Sequence, residues 1–485
     1  MSTTAEKNTA APTIGSPGRG RAWVAQMWAS GAAARWVISA AYVAWTSGFW
    51  WAKMSAEDFT SLYFGARVLR GGAPHALYSS EPTDFSVVDN PHWSAAIAAS
   101  DFTGEYWHPY VHIPLLARLL GPLTEMLSFT AMARWLVVLN AIAVVLIVWT
   151  VARMVLPQML RPAFFAAGLL VVASIKPTTM ALDYGQTTPL IVAAALLAVL
   201  YSARAPILSG VVLAAVVLIK LTPALLIMYL LMRPGRRTAG VTAILATLAG
   251  AGLTVWAVGR DLTGEWIEVV LQTGRQGLAF VVNQSPTSAL LMGMQPGDSP
   301  GVPSPLEVPA WVAVTVFAIT ATVGLCGLAV VWWLPDSMRD GVWVVLLLCL
   351  VPLALPAVAW THYYISIVFL VAVLISYGLA LGPTGRGWVF TAALTVVLLN
   401  TEPWVWSAVF PSVWDSQVSV GGAWSAIAGT LFCLIAAIIV AGRGRAADLP
   451  AGVLTGQPDH DPQSASTADP AATPHPDGAS RPARS

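Results

Sequence analysis

The chain has 485 residues, 56% hydrophobic and 10% charged, with 22 Trp and a mean hydropathy of +0.69. A composition this apolar describes a polytopic membrane protein and excludes an ordinary water-soluble domain. A net charge of +1, with basic residues scattered through short loops, gives no nucleic-acid partner anything to bind.

In chain order, the first 20 residues carry no apolar core, which argues against a cleavable signal peptide, and residues 1–33 read as a disordered cytoplasmic segment. Apolar runs near 34–52, 131–152, 161–175, 187–203, 206–219, 222–232, 238–258, 309–333, 341–359, 361–382, 387–400 and 423–442 predict about twelve membrane helices, some of them short, tilted or broken. Residues 34–442 form the expected transmembrane domain, and its first outer loop spans 53–130. Within that loop, 111–127 holds Pro114, Arg118, Pro122 and Glu125, which predicts an interfacial or re-entrant helix. Residues 443–485, rich in Pro, Ala, Ser, Asp and Thr, read as a disordered cytoplasmic tail. Cys326, Cys349 and Cys433 lie in apolar runs with no Cys-x-x-Cys spacing, which argues against disulfides and structural zinc.

Arg153, Arg161, Arg204, Arg233, Arg236, Arg237, Arg339, Arg386, Arg443 and Arg445 share one face with the N-terminus, and the positive-inside rule makes that face cytoplasmic. Asp58, Arg67, Lys176, Asp183, Gln186, Lys220, Asn283, Gln284 and His362 then gather at or just below the outer surface. Polar groups at that depth are costly and face cavities, so a site opening outward is expected.

Each candidate has a plainer reading. Asp58 sits just past the first span, either as the N-cap of a helix starting at Phe59 or as a base. Lys220 is a snorkelling boundary residue or a charge fixed at the bend that Thr222-Pro223 makes. His362, in Trp360-Thr361-His362-Tyr363, belongs to an aromatic belt or to the site, and Gly185-Gln186 is a helix start or a binding element. His108 and His112 have a metal-ligand spacing but lack a third convergent ligand.

Taken in order, Asp58-Phe59 with Tyr63 and Arg67, His108-Pro109-Tyr110 leading to Pro114-Leu115, Gly185-Gln186, Ile219-Lys220-Leu221-Thr222-Pro223, Asn283-Gln284-Ser285 and Trp360-Thr361-His362-Tyr363 resemble glycosyltransferase family 87 of the GT-C superfamily. The resemblance runs from about Trp36 to Gly442 and implies an all-α GT-C-type bundle of about 11–13 transmembrane helices, with outward loops carrying short interfacial helices. It departs from the family at Trp107-His108-Pro109-Tyr110, where Tyr-Pro-Pro is usual, and at His362-Tyr363, where histidines are often paired.

What the resemblance implies is transfer of a sugar, mannose first and arabinofuranose as the alternative, from a polyprenyl-monophosphate donor to a glycolipid or cell-envelope glycan on the outer face of the plasma membrane. Asp58 becomes the catalytic base of a single inverting displacement. Arg67, Lys176 and Lys220 become cations for the departing phosphate, and Gln186, Gln284 and His362 become donor- or acceptor-binding groups. No cofactor is implied, and with no Asp-x-Asp in the early loop no metal is expected. A transporter or flippase is the rival from another class, but no internal repeat supports it.

Overall fold

The structure is a computed structural model that describes residues 31–400 except 80–87, 274–275, 281–282, 295–303, 334–339, 341–342, 345–346, 349–358 and 381. The expected tail at 443–485, the span at 423–442 and most of the span at 341–359 lie outside the described residues.

The described chain is helical almost throughout. Helix α1 (Ala32–Trp51) leads to α2 (Glu57–Arg70), followed by α3 (Pro91–Ala98), α4 (Pro114–Met126) and α5 (Phe129–Met154). Next come α6 (Pro162–Ser174), α7 (Lys176–Asp183), α8 (Thr188–Tyr201), α9 (Pro206–Ile219), α10 (Leu225–Met232) and α11 (Arg237–Val258). The later elements are α12 (Arg260–Thr273), α13 (Pro286–Gly293), α14 (Ala310–Trp333), a 3-10 turn at Thr361–Ile367, α15 (Val368–Ala380) and α16 (Arg386–Leu399). Proline opens α3, α4, α6, α9 and α13, where its missing N–H costs nothing and its fixed φ suits the first turn. Helix α5 starts at Ser128, whose hydroxyl accepts from Ala131 N.

Among the described residues, α5 and α11 are long and apolar enough to cross a membrane. The bent pair α6 and α7, turned by 66° at its break, makes a third span if counted as one. The other apolar helices are shorter, so the expected dozen full spans is not reached among the described residues. Val241, Leu245, Leu248, Leu253 and Trp256 of α11 are all exposed, an apolar face that only lipid or further protein covers without cost. Two departures from a purely helical plan stand out. Gly277–Ala279 pairs antiparallel with Ser304–Leu306 between α12 and α14, and the run 361–382 begins as a 3-10 turn.

Two apolar cores organise the molecule. The larger joins α5, α6, α8, α9, α10, α11 and α15 through residues such as Ile147, Leu196, Leu213 and Phe369. The smaller lies mostly within residues 53–136 and joins α2, α3, α4 and the start of α5 around Phe59, Tyr63, Phe64, Trp93 and Tyr110. Phe64 stacks on Phe129 at 5.7 Å, and Trp93 Nε1 donates to Ala76 O at 2.8 Å. The loop is thus a packed helical layer. Helix α4, only 13 residues long, buries Ala117, Gly121 and Thr124 and exposes Leu119, Leu123 and Met126.

Candidate active site

The site begins where α2 begins. Ala56 precedes the helix in the left-handed region (φ 52°, ψ 27°), a costly conformation for a residue with a Cβ. What holds it there is backbone: Ala56 N donates to Asp183 O at 2.8 Å, and Asp58 N and Phe59 N donate to Tyr184 O at 3.0 and 3.3 Å. Those carbonyls satisfy orphan N–H groups of the first turn, so no side chain is needed as a cap. The N-cap reading of Asp58 fails for that reason. The helix starts at Glu57, and the Asp58 carboxylate is free to point elsewhere.

It points at two side chains. His108 Nε2 lies 3.2 Å from Oδ1, and Gln186 Nε2 donates to Oδ2. His108 and Asp58 side chains are each 20% exposed. Burial raises the Asp58 pKa and His108, Gln186 and Lys220 work against that rise, the net direction being upward. Glu57 beside it is raised as well, chiefly by burial.

Gln186 is placed by the end of α7. Gly185 takes φ 68° and Gln186 N returns to Ala181 O at 2.9 Å, a Schellman-type close. A Cβ on Gly185 would stand 2.9 Å from Phe59 Cβ, so glycine is required both by conformation and by the approach of α2. Gly185-Gln186 therefore ends one helix, and the next starts at Thr188. From α5, the fully buried Asn140 donates its Nδ2 to Gln186 O at 2.7 Å.

His108 is placed by α2. Its N donates to Thr60 Oγ1 at 3.0 Å, Ser61 Oγ donates to Pro109 O at 2.9 Å, and the Tyr110 ring lies against Gly65. Tyr110 OH closes the segment by donating to Ile113 O and accepting from Ala117 N. His112 turns away and meets Ile219 O through Nδ1 at 3.3 Å, and burial pulls its pKa down to about 4. The two histidines thus do not share a ligand site.

The remaining wall comes from later in the chain. Lys220 caps α9 in an extended conformation, ahead of the 3-10 turn at Thr222–Ala224. Its Nζ donates to Thr188 Oγ1 at 3.2 Å and sits 3.5 Å from the centre of the Tyr363 ring. His362, buried, lies edge-on to Tyr363 at 5.0 Å, and its Nε2 has no hydrogen-bond partner among the described residues. An isolated bridge joins Trp360 to Asn283, Asn283 Oδ1 accepts from Ala359 N, and Gln284 N donates to Ala359 O, so the two short motifs form one layer.

Of the residues expected from the sequence, Asp58, Gln186, Lys220 and His362 lie near one another, Gln186 bonded to Asp58 and Lys220 close enough to act on both Asp58 and His362, and Gln284 lies in the supporting layer. Lys176 is at the far end of α7, roughly 10 Å along the axis from Asp183, with its backbone N on Asn400 Oδ1. Arg67 is nine residues beyond Asp58 on α2, about 13 Å along and on the opposite side. It reaches Ala99 O at 3.2 Å and the Tyr63 ring at 5.9 Å and does not join the cluster. Asn140, Thr188 and Tyr363 were not foreseen. Only Tyr363 left a trace in the sequence, as the neighbour of a flagged histidine.

The chain is 28% identical over 336 residues to a polyprenol-phosphate-mannose-dependent alpha-(1-2)-phosphatidylinositol pentamannoside mannosyltransferase from Mycobacterium tuberculosis, an alignment that covers 68% of this chain and 72% of that one. It is 25% identical over 339 residues to a polyprenol-phosphate-mannose-dependent alpha-(1-2)-phosphatidylinositol mannoside mannosyltransferase from Mycolicibacterium smegmatis, covering 66% and 72% respectively. No solved structure matches. The family model for glycosyltransferase family 87 matches residues 110–356, which contain His112, Lys176, Gln186, Lys220 and Gln284, while Asp58, His108 and His362 flank the matched stretch. More than half of the sequence thus follows the family pattern, and the chain belongs to glycosyltransferase family 87, a membrane glycosyltransferase rather than a transporter.

Proposed function

We propose that the protein moves mannose from a polyprenyl-monophosphate donor to a glycolipid acceptor at the outer face of the plasma membrane, with inversion. Residues 34–442 act as one multi-pass catalytic unit with both termini cytoplasmic. Support comes from the substrates in the relatives' names and from one observation in the fold: a carboxylate held at both oxygens faces the same space as a lysine ammonium.

The chemistry follows from those charges. Asp58 takes the proton of the acceptor hydroxyl while that oxygen attacks the anomeric carbon, and the bond from that carbon to the donor phosphate oxygen breaks. The phosphodiester leaves as polyprenyl phosphate with one more negative charge, and Asp58 becomes neutral. Phosphate is a good leaving group, so no acid partner is needed. Lys220 offsets the charge that develops on it, and a divalent metal has no necessary part.

The test is transfer from labelled polyprenyl-phosphate mannose to membrane glycolipid by wild type and Asp58→Asn. The variant keeps shape and membrane insertion but lacks the base, so transfer is expected to vanish. Near wild-type turnover in Asp58→Asn removes the assignment. Transfer from a polyprenyl-phosphate arabinofuranose, with none from mannose, assigns the alternative sugar.

A further inference from the structure

We propose that His108 is a positioning residue for the reaction, its Nε2–H holding the Asp58 carboxylate in the plane from which the other lone pairs meet the acceptor hydroxyl. The inference rests on Asp58 being the base. A carboxylate accepts and cannot donate, so the 3.2 Å contact between Nε2 and Oδ1 requires the proton on Nε2. With Gln186 donating to Oδ2, each oxygen carries one fixed donor, and the carboxylate cannot rotate without losing one.

The backbone that carries the His108 ring is held as well. Its backbone N is tied to Thr60 Oγ1 and the following carbonyl to Ser61 Oγ, one and two residues beyond Phe59 on α2. Base and clamp therefore ride on the same two turns of helix, and their spacing survives movement of the rest of the molecule. A residue that served only as filler would not need a donor aimed at the base.

Around Asp58 the titratable and charged neighbours are Glu57 on its own helix, His108 from the outer-loop segment, Asp183 on α7, Lys220 after α9 and Tyr363 of the 3-10 turn. Of these, His108 and Lys220 favour the ionised carboxylate, and Asp183 opposes it. Removing His108 therefore leaves Asp58 harder to ionise, and the fall of activity toward acid pH begins at higher pH.

The experiment measures turnover, apparent donor and acceptor KM and the pH profile of purified His108→Ala and His108→Gln, beside Asp58→Asn and wild type. His108→Ala is expected to lose about tenfold or more in turnover with little change in either KM, and its acid limb moves up. His108→Gln, which places an amide N–H where Nε2 was, is expected to recover part of the turnover and return the acid limb toward wild type. Should the Ala variant not fold, a folded Gln variant decides: inactivity there defeats the donor role, and partial activity with a near-normal acid limb supports it. Wild-type turnover and an unmoved limb in His108→Ala overturn the proposal. If that happens while Asp58→Asn is inactive, only His108 is wrong. An active Asp58→Asn removes the base and the clamp together.

Discussion

Lys220 has two readings, a snorkelling boundary lysine and a cation for the donor phosphate, and a substitution separates them. Its Nζ is held by Thr188 Oγ1 and the Tyr363 ring, neither of which carries a formal charge that an incoming phosphate would have to displace. Lys220→Ala is expected to impair donor use by about 30- to 1,000-fold, the equivalent of roughly 2–4 kcal/mol of transition-state stabilisation, with acceptor recognition less affected. Lys220→Arg should rescue only part, because a planar guanidinium presents its donors differently from a compact ammonium. Rate against donor concentration at saturating acceptor is the measurement, and an unchanged curve for Lys220→Ala returns the residue to a snorkelling role. The sequence revealed Lys220 because a charge in apolar surroundings before Thr-Pro is conspicuous. Asp58 was singled out by its position just past the first span and by the family resemblance. His108 was hidden by a misleading neighbour: a spacing of four places two rings together on a helix, but here the segment is not helical, and four extended residues separate their backbones by up to about 13 Å. Arg67 failed for the converse reason, since closeness in sequence along a helix says nothing of facing the same way.

At the scale of elements, the outer-loop segment and α2 fit because of one missing side chain. A Cβ on Gly65 would lie 2.4 Å from Tyr110 Cδ2, and Tyr110 is fully buried with its hydroxyl bonded on both sides. Gly65→Ala must therefore push the 108–113 segment off the helix, overpacking that typically costs about 1–3 kcal/mol. The expected outcome is a lower Tm in detergent together with reduced turnover, because His108 moves with Tyr110. An Ala variant with unchanged Tm and turnover shows that the segment can shift at no cost. None of this was legible beforehand, since glycine in a helix looks the same whether it is tolerated or required. The amphipathic α4 and the broken α9–α10 junction were legible, because proline and charge mark them locally. The β-ribbon was not, having only three residues a strand and nothing but tertiary pairing to hold it.

For the whole molecule, the apolar composition pointed to an all-α membrane protein, and among the described residues many of its apolar runs form short or bent helices rather than helices long enough to cross alone. Orientation is a separate matter, set by where arginines fall. Reporter tags after Arg236 and after Arg445 are expected on the cytoplasmic side and a tag near Ser86 outside. A cytoplasmic Ser86 tag would put every site residue on the wrong side of the membrane for an outward-facing lipid-linked donor.

The pocket wall that Tyr363 closes over Lys220 also sets an order of events in the life of the chain. Asp58 enters the membrane early, but the last wall arrives about 300 residues later, and contacts of such sequence separation form late. Until then Asp58 and His108 stand without the aromatic face beside Lys220. A ribosome-bound or truncated chain that stops short of Tyr363 therefore holds Asp58, His108 and Lys220 without that wall, and the proposed site is complete only after about three-quarters of the chain has been made.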